Sequence, residues 1–489
     1  MLSSLKRLSK HSAVYGLGHI VTRVVNFLLL PLYTNKLSAA EFGASAVVYA
    51  FLAVMTIIYT YGIDAAFLRY FILNEDRERR KRVFSTAFWA ILFVALTLTG
   101  IIYGQAEMIS GFMIKEGLYA NLIRLSSLIL LFDALAFLPY LFLRAEEKSV
   151  AYTAVKFINV VINVGLNIYF IVYRGEGVEG IFLANVWASG LTFVLLCSIL
   201  VKQVSFRFDL EDFKALAKFG LPFLPSALSV VLLDLIDRPL IERIAGLEAT
   251  GIYNAGAKLG MIMALFVAAF RFAWHPFFLS TSKQEDAREI FAKVLTYFTT
   301  LTLGIFLFVS FFLDEIVSFK IGGISLIGEA FMAGTQVVPL ILLSYVFYGM
   351  YVNFMVGIYL EEKTKYLPLI TLVGATVNVL TNILLIPKIG IMGAGWARLA
   401  GHGVMCTMLY LFAQRFYKVD YEFRRLFKLS AVVAAVFYLG NSAHGSWEHA
   451  TKIGLLAGTP VFLYLTGFFE RRELRTLRRM FNLKGSTTI

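Results

Sequence analysis

Between Val83 and Ala106 the chain runs for 24 residues without one charged side chain. A second uncharged run, Val294 to Leu313, has 20 residues, and a third, Tyr366 to Pro387, has 22. A helix rises about 1.5 Å per residue, so each run is long enough to cross the ~30 Å hydrocarbon layer of a bilayer. Inside that layer every backbone amide must be satisfied by the protein itself, and runs this long and apolar do so as helices. Overall composition agrees: 59% of residues are hydrophobic and 16% charged, against about 25% charged in soluble domains. The chain therefore reads as an all-α, polytopic membrane protein. Its start, MLSSLKRLSK, passes straight into a full-length apolar helix, so the first span is expected to serve as its own insertion signal. Both cysteines, Cys197 and Cys406, fall within apolar runs, which argues against a disulfide framework or a metal site.

Fourteen transmembrane helices are expected, at about 11–34, 41–72, 83–104, 118–143, 150–173, 180–201, 219–242, 248–280, 290–313, 329–359, 366–387, 390–413, 427–443 and 453–469. Of the 45 lysines and arginines, 29 fall in the two termini and the even-numbered connections, and seven in the odd-numbered ones. The positive-inside rule then places both termini in the cytoplasm. The formal charge of +13 thus reflects topology and attraction to anionic lipid, so no nucleic-acid partner is implied. The tail RRELRTLRRMF (471–481) sets Leu474, Leu477 and Phe481 on one helical face, as expected of a helix lying on the inner membrane surface.

The chain also repeats itself. Pro31-Leu32 followed by Gly43 recurs as Pro239-Leu240 followed by Gly251, at an offset of 208. Glu146-Glu147-Lys148 recurs as Glu361-Glu362-Lys363, and Asn163 and Asn167 as Asn378 and Asn382, at 215. Gly180 and Ala184 recur as Gly393 and Ala397 at 213. Six spans separate the copies, so the repeat is parallel, a transporter signature with substrate bound between the halves. The expected division is an N-lobe (1–203), a C-lobe (204–414) and a third part (415–489) with two extra helices and a basic tail. Within the segment joining the lobes, Asp209 to Lys218 reads as a short amphipathic surface helix. Pro222 and Pro225 interrupt the next span and mark an expected hinge.

Charges inside spans are costly, roughly 2.5–3.5 kcal/mol each on insertion scales, so each needs a partner or a wet cavity. Eight cations sit well within spans: Arg23, Arg69, Arg124, Lys156, Arg238, Lys258, Arg271 and Arg398. The clearest acids are Asp64, Asp133, Asp234 and Asp237. Asp234 and Arg238, four residues apart, suit a local pair. Arg69 lies close enough to a helix end to reach the interface. Arg23 and Lys258 have no acid one turn away. Polar stripes run down three helices: His19, Arg23 and Asn26; Lys156, Asn159, Asn163 and Asn167; and Thr371, Asn378 and Asn382. Such faces turn toward other helices or water, either as interhelical glue or as cavity lining. The excess of cations suits an anionic substrate, and arginine's fork suits phosphate oxygens.

PLYTNKLSAAEFGASAVVYAF (31–51) resembles the junction of the first two helices in polysaccharide flippases of the O-antigen type. These belong to the multidrug/oligosaccharidyl-lipid/polysaccharide exporter superfamily. PLIERIAGLEATGIYNAGAKL (239–259) and NVLTNILLIPKIGIMGAGWA (378–397) are similar to the same pattern. The resemblance implies two six-helix lobes in a V shape around a central cavity, with two extra C-terminal helices that help accommodate a lipid tail. It also implies a monomer in the bacterial inner membrane. The implied activity is translocation of polyprenyl-pyrophosphate-linked oligosaccharide by alternating access, beside a polysaccharide polymerase and chain-length machinery. By helix, the cavity-cation role of related lipid II flippases falls on Arg23, Arg69 and Arg271, with Lys258 added; Asn26, Asn163, Asn167, Asn378 and Asn382 are candidate cavity residues. No cofactor is expected. Coupling to protons or sodium through Asp64, Asp133 or Asp234 is left open. A lipid II flippase is the nearest alternative. A multidrug antiporter of the same superfamily needs a cavity of the opposite charge. A membrane enzyme needs an extracytoplasmic catalytic loop, and the odd connections are all short, without an evident carboxylate pair, nucleophile or metal geometry.

Overall fold

A computed structural model describes residues 27–115, 119–321, 323–443, 445, 447–470 and 473. The expected stripe of His19, Arg23 and Asn26 and most of the surface tail lie outside these residues, as does most of the first span.

Helices form where the uncharged runs stand: α1 (Leu30–Lys36), α2 (Ala39–Thr60), α3 (Ile63–Ile72), α4 (Arg77–Gly104), α5 (Ala106–Met113), α6 (Ala120–Ala145), α7 (Ser149–Ile168) and α8 (Gly177–Gln203). The linker helix α9 (Leu210–Gly220) follows, then α10 (Leu224–Leu235), α11 (Asp237–Thr281), α12 (Ala287–Phe311), α13 (Leu313–Ser318), α14 (Val338–Leu360), α15 (Leu367–Ile389) and α16 (Ile391–Phe416). α17 (Phe423–Asn441) and α18 (Glu448–Leu465) complete the described chain. Every expected span from the second to the fourteenth is occupied by helix. Nine helical stretches among the described residues are long and apolar enough to cross a membrane, one of them running through α9, α10 and α11.

Local sequence explains the breaks. Ser38 and Glu41 form the expected capping box at the start of α2: Ser38 Oγ accepts from Glu41 N (3.2 Å), and the Glu41 carboxylate accepts from Ser38 N (2.9 Å). Pro31 sits in the first turn of α1, where its missing N–H costs nothing. The expected second span is two helices, because Tyr61 (φ 32°) and Gly62 (φ 76°) both take left-handed backbone. The expected seventh and eighth spans meet without a loop. Two helical stretches abut at Gly246, whose backbone (φ 89°, ψ 175°) is not helical and is open to glycine, so the break expected within 243–247 is a one-residue kink. Pro222 and Pro225 fall in a 3₁₀ turn at Leu221–Phe223 and the first turn of α10. A small antiparallel ribbon, Lys320–Ile321 with Ile324–Ser325, is an addition that the helical reading lacked.

The repeat is visible at atomic detail. Glu147 and Glu362 both have φ 53°, in identical turns. Lys148 N donates to Leu143 O and Lys363 N to Ile358 O, five residues back in each copy. Asn167 Nδ2 donates to the Asn163 carbonyl (2.8 Å) and side chain (3.0 Å). Asn382 Nδ2 does the same to Asn378, at 2.9 and 3.0 Å.

The lobes join at the end away from the basic loops. A Cβ on Gly43 would lie 2.0 Å from Leu247 O, and one on Gly251 1.9 Å from Ala39 O. The backbones of α2 and α11 touch there because neither glycine has a side chain. Nearby, Asn35 Nδ2 donates to Ser325 O (2.9 Å), and Lys115 N donates to Glu242 Oε1 (2.9 Å). At the basic end α9 and the segment before it are held to the N-lobe: Arg82 pairs with Asp212 of α9 (2.9 Å), and Trp89 Nε1 donates to Ser205 O in the preceding segment (2.9 Å). α17 packs on α12 and α18. Arg425 at its base pairs with Glu422 (2.9 Å) and Glu473 (3.0 Å).

Candidate functional site in the cationic cavity

One long face of α11 carries Lys258, Met261, Ala264, Leu265, Ala268 and Arg271, spaced in threes and fours as a helical stripe requires. This face walls a cavity of about 330 Å³. Phe27, Asp234 of α10, Tyr345 and Tyr348 of α14, and His402 of α16 complete much of the wall.

Three of the seven described intramembrane cations, Arg124, Arg238 and Arg398, are paired with carboxylates. Arg398, 1% exposed, donates to Asp234 Oδ1 (2.9 Å), to the Asp234 carbonyl (3.0 Å) and to Tyr345 Oη (2.8 Å), and lies 3.4 Å from Asp237 Oδ2. Arg238, 2% exposed, pairs with Asp237 Oδ1 at 2.5 Å and donates to the Asp234 carbonyl. The expected Asp234–Arg238 side-chain pair is thus replaced by two crossed pairs, Asp237 with Arg238 and Asp234 with Arg398. The i, i+4 spacing foresaw only the backbone contact. Arg124 pairs with Glu107 (3.0 Å). Lys156 lies over the Tyr140 ring, in a separate polar cavity of about 290 Å³ shared with Asp133, Tyr59, Asn159, Asn185 and Ser189.

Two cations on the central wall stand apart from this pairing. Among the described residues neither Lys258 nor Arg271 has a carboxylate partner. Lys258 Nζ lies 5.3 Å from the Tyr33 ring centroid and 5.1 Å from that of Phe42, both on the N-lobe side. Ring quadrupoles steady an ammonium without cancelling its charge. Arg271 is exposed and donates to Tyr348 Oη (3.1 Å). The two cations are thirteen positions apart on the helix, about 20 Å of rise, a distance no single pyrophosphate bridges. They make two anion stations along one wall.

The remaining candidates lie elsewhere. Arg69 is exposed and sits over the Phe219 ring of α9 (4.8 Å), away from this cavity, and Asp64 is exposed on the same short helix. Asn167 is fully buried and accepts from Tyr33 Oη (2.9 Å). Asn163 donates to Asn185 (3.0 Å), which donates to Tyr49 Oη (2.6 Å). This chain stitches α1, α7, α8 and α2 together. Asn378 and Asn382 are also fully buried, Asn378 against Gly401 of α16. Asp234, 44% exposed at its side chain, reaches the central cavity while holding Arg398. Sequence reasoning missed the aromatic lining. Tyr345, Tyr348 and Tyr351 recur every three residues on α14, a periodicity that reads equally as packing.

Comparisons with known proteins fit this architecture. A family model described as "Polysaccharide biosynthesis protein" matches residues 8–282, more than half of the chain. The "Lsg locus putative protein 1" of Haemophilus influenzae is 24% identical over 356 residues, 69% of this chain and 84% of that protein. Among solved structures, the lipid II flippase MurJ in an inward closed conformation matches with TM-score 0.75 at 13% identity, covering 93% of this chain and 98% of that one. An inward-facing multidrug transporter of the MATE family of the MOP superfamily matches with TM-score 0.64 at 13% identity, covering 81% and 94%. At these identities the likenesses establish a shared polytopic fold. With the family match spanning both halves of the repeat's first junction and its second, the chain belongs to the polysaccharide biosynthesis protein family.

Proposed function

We propose that this protein is a flippase for polyprenyl-pyrophosphate-linked oligosaccharide, moving it from the cytoplasmic to the periplasmic leaflet of the bacterial inner membrane. One observation carries the reading: the two cavity cations without a carboxylate partner among the described residues, Lys258 and Arg271, share a wall with Tyr345, Tyr348 and His402. Arginine and lysine bind phosphate oxygens through charge-assisted hydrogen bonds, and tyrosine hydroxyls suit sugar hydroxyls. A headgroup entering from the basic end would meet Arg271 first and Lys258 about 20 Å deeper. Arg23, four residues before the wall residue Phe27, is offered as a further phosphate ligand. The closed glycine contact at the other end is the barrier that must open for release. Asp133 and Asp234, each within reach of a cavity, are the candidates for coupling to protons or sodium. A polysaccharide polymerase is the expected recipient on the far side.

The test is translocation of a polyprenyl-pyrophosphate oligosaccharide in proteoliposomes. Lys258→Gln, expressed and inserted normally, should lose transport, and unchanged transport sinks the reading. In cells, restored surface polysaccharide supports it, whereas rescue of a lipid II flippase deletion assigns the peptidoglycan precursor instead.

A further inference from the structure

The central cavity is closed beyond Lys258. About 10 Å of rise further along α11, Gly251 packs on the backbone of α2 at Ala39 and Gly43. The rings of Tyr33 and Phe42 flank the ammonium on the N-lobe side. A pyrophosphate held at Lys258 therefore has no room for its sugars in that direction. The saccharide has to run along α11 the other way, toward Arg271, which is exposed on the wall of the same cavity.

α14 runs beside this path. Gly256 of α11 packs on Gly334, just before α14, Gly260 packs on Ile341, and Arg271 donates to Tyr348 Oη (3.1 Å). Tyr345 therefore falls between the levels of the two cations. Its ring lies 6.0 Å from that of His402, which lies 5.6 Å from the Tyr348 ring. The three rings form a shelf leading from the Lys258 side to Arg271. Aromatic faces suit the apolar faces of sugar rings, and tyrosine hydroxyls suit sugar hydroxyls. Asp234, the carboxylate on this wall, is held by Arg398 (2.9 Å), so that pair adds little net charge to the path. Arg271 stands at the end of the shelf, about 20 Å of rise from a phosphate at Lys258 and without a carboxylate of its own among the described residues.

Resting on the flippase reading, we propose that Arg271 binds a carboxylate on the saccharide itself, several rings away from the pyrophosphate at Lys258. The substrate is then an oligosaccharide with an acidic sugar toward its far end. A guanidinium presents paired N–H donors in one plane, which match the two oxygens of a carboxylate. Tyr348 Oη accepts from Arg271 Nη1 and steadies the group at the end of the shelf. The two stations act together as a ruler, with pyrophosphate at one end, carboxylate at the other and stacked sugar rings between. A relay, in which one pyrophosphate passes from Arg271 to Lys258, would use the same cations in turn and would gain nothing from an acidic sugar.

The experiment titrates the full chain in detergent with one short-chain probe, a pyrophosphate-linked tetrasaccharide on a farnesyl-length chain, made in three forms. The first carries a uronic acid at the far end, the second carries that sugar as its uncharged carboxamide, and the third has the uronic acid next to the pyrophosphate. The unsubstituted protein should bind the far-end acid about tenfold to a hundredfold more tightly than the amide, the worth of one charged hydrogen bond. Moving the acid next to the pyrophosphate should remove most of that gain. Arg271→Gln should abolish the difference between acid and amide, whereas Lys258→Gln should weaken every form and keep the difference. No preference for the acid, a preference independent of its place, or one that survives Arg271→Gln overturns the proposal. The comparison of the three forms on the unsubstituted protein decides the matter even where a variant fails to fold. If the unsubstituted protein binds none of the forms and moves none of them in proteoliposomes, the flippase reading itself falls.

Discussion

Lys258 and Asp237 show how differently one membrane fold treats buried charge. Asp237 is 1% exposed and touches two guanidiniums, so its removal leaves Arg238 without a carboxylate in a dry site and takes one of two carboxylates from Arg398. Asp237→Ala is expected to cost about 3–5 kcal/mol, the range for breaking a buried pair. Asp234→Ala should cost clearly less, because that carboxylate is 44% exposed and Arg398 keeps Asp237 and Tyr345. Thermal unfolding of the two purified variants in detergent orders them, and the reverse order would contradict the pairing described here. Lys258 is held by the Tyr33 and Phe42 rings instead, so its charge stays available. Lys258→Gln should weaken binding of a pyrophosphate-linked lipid by about tenfold to a hundredfold, the worth of one charged hydrogen bond, with Lys258→Arg retaining most of it. Titration of the purified protein with the short-chain probe measures both. The sequence made these charges legible as a set, because lysine and arginine inside apolar runs are conspicuous. Their partners were less so: Arg398 meets Asp234 from 164 residues away, and no local periodicity reports such a contact.

Elements were easier to foresee than their interruptions. The capping box of Ser38 and Glu41 was readable because its spacing is fixed by the first helical turn. Ser38→Ala is expected to lower stability by about 1 kcal/mol, and a correspondingly lower melting temperature would confirm it. The linker helix α9 was readable from its amphipathic pattern. Its cap adds a pH dependence: the Asp209 carboxylate accepts from Asp212 N and Glu211 N and faces Arg82, which holds its pKa below the ordinary value. A depressed carboxylate stabilises the fold above its unfolded pKa and loses that contribution as pH falls through the folded one. Hydrogen exchange of residues 210–220 should therefore stay slow through neutral and mildly acidic pH and quicken only in strong acid. By contrast, the break at Tyr61–Gly62 escaped notice, since a tyrosine in left-handed backbone carries no compositional mark and an isolated glycine is common in membrane helices. The break expected between the seventh and eighth spans does fall within 243–247, narrowed to a kink at Gly246, and the charges at Glu242, Arg243 and Glu248 marked its place.

Across the whole molecule, the internal repeat was the most informative sequence feature, because matched residues 208 to 215 apart fix the parallel relation of the halves. The asparagine pairs and the twin turns at Glu147 and Glu362 bear that relation out. What the repeat left open was where the halves touch. Gly43→Leu would force a branched side chain into the backbone of α11 and should prop the lobes apart at the end away from the basic loops. A cysteine placed at Asn35 would then react faster with a membrane-impermeant thiol reagent added on that side, and unchanged labelling would argue against the glycine contact as the closure. The contact has a further property. Gly43 and Gly251 are equivalent positions of the repeat, yet they pack on each other, each one's added Cβ lying about 3 Å from the other's amide nitrogen. That is the signature of a self-complementary interface of the kind that joins two identical subunits. The protein is thus an internal homodimer whose two faces coincide at one point. Separation there moves both partners through the same path, so the closure is expected to yield as a single step and not as a graded hinge.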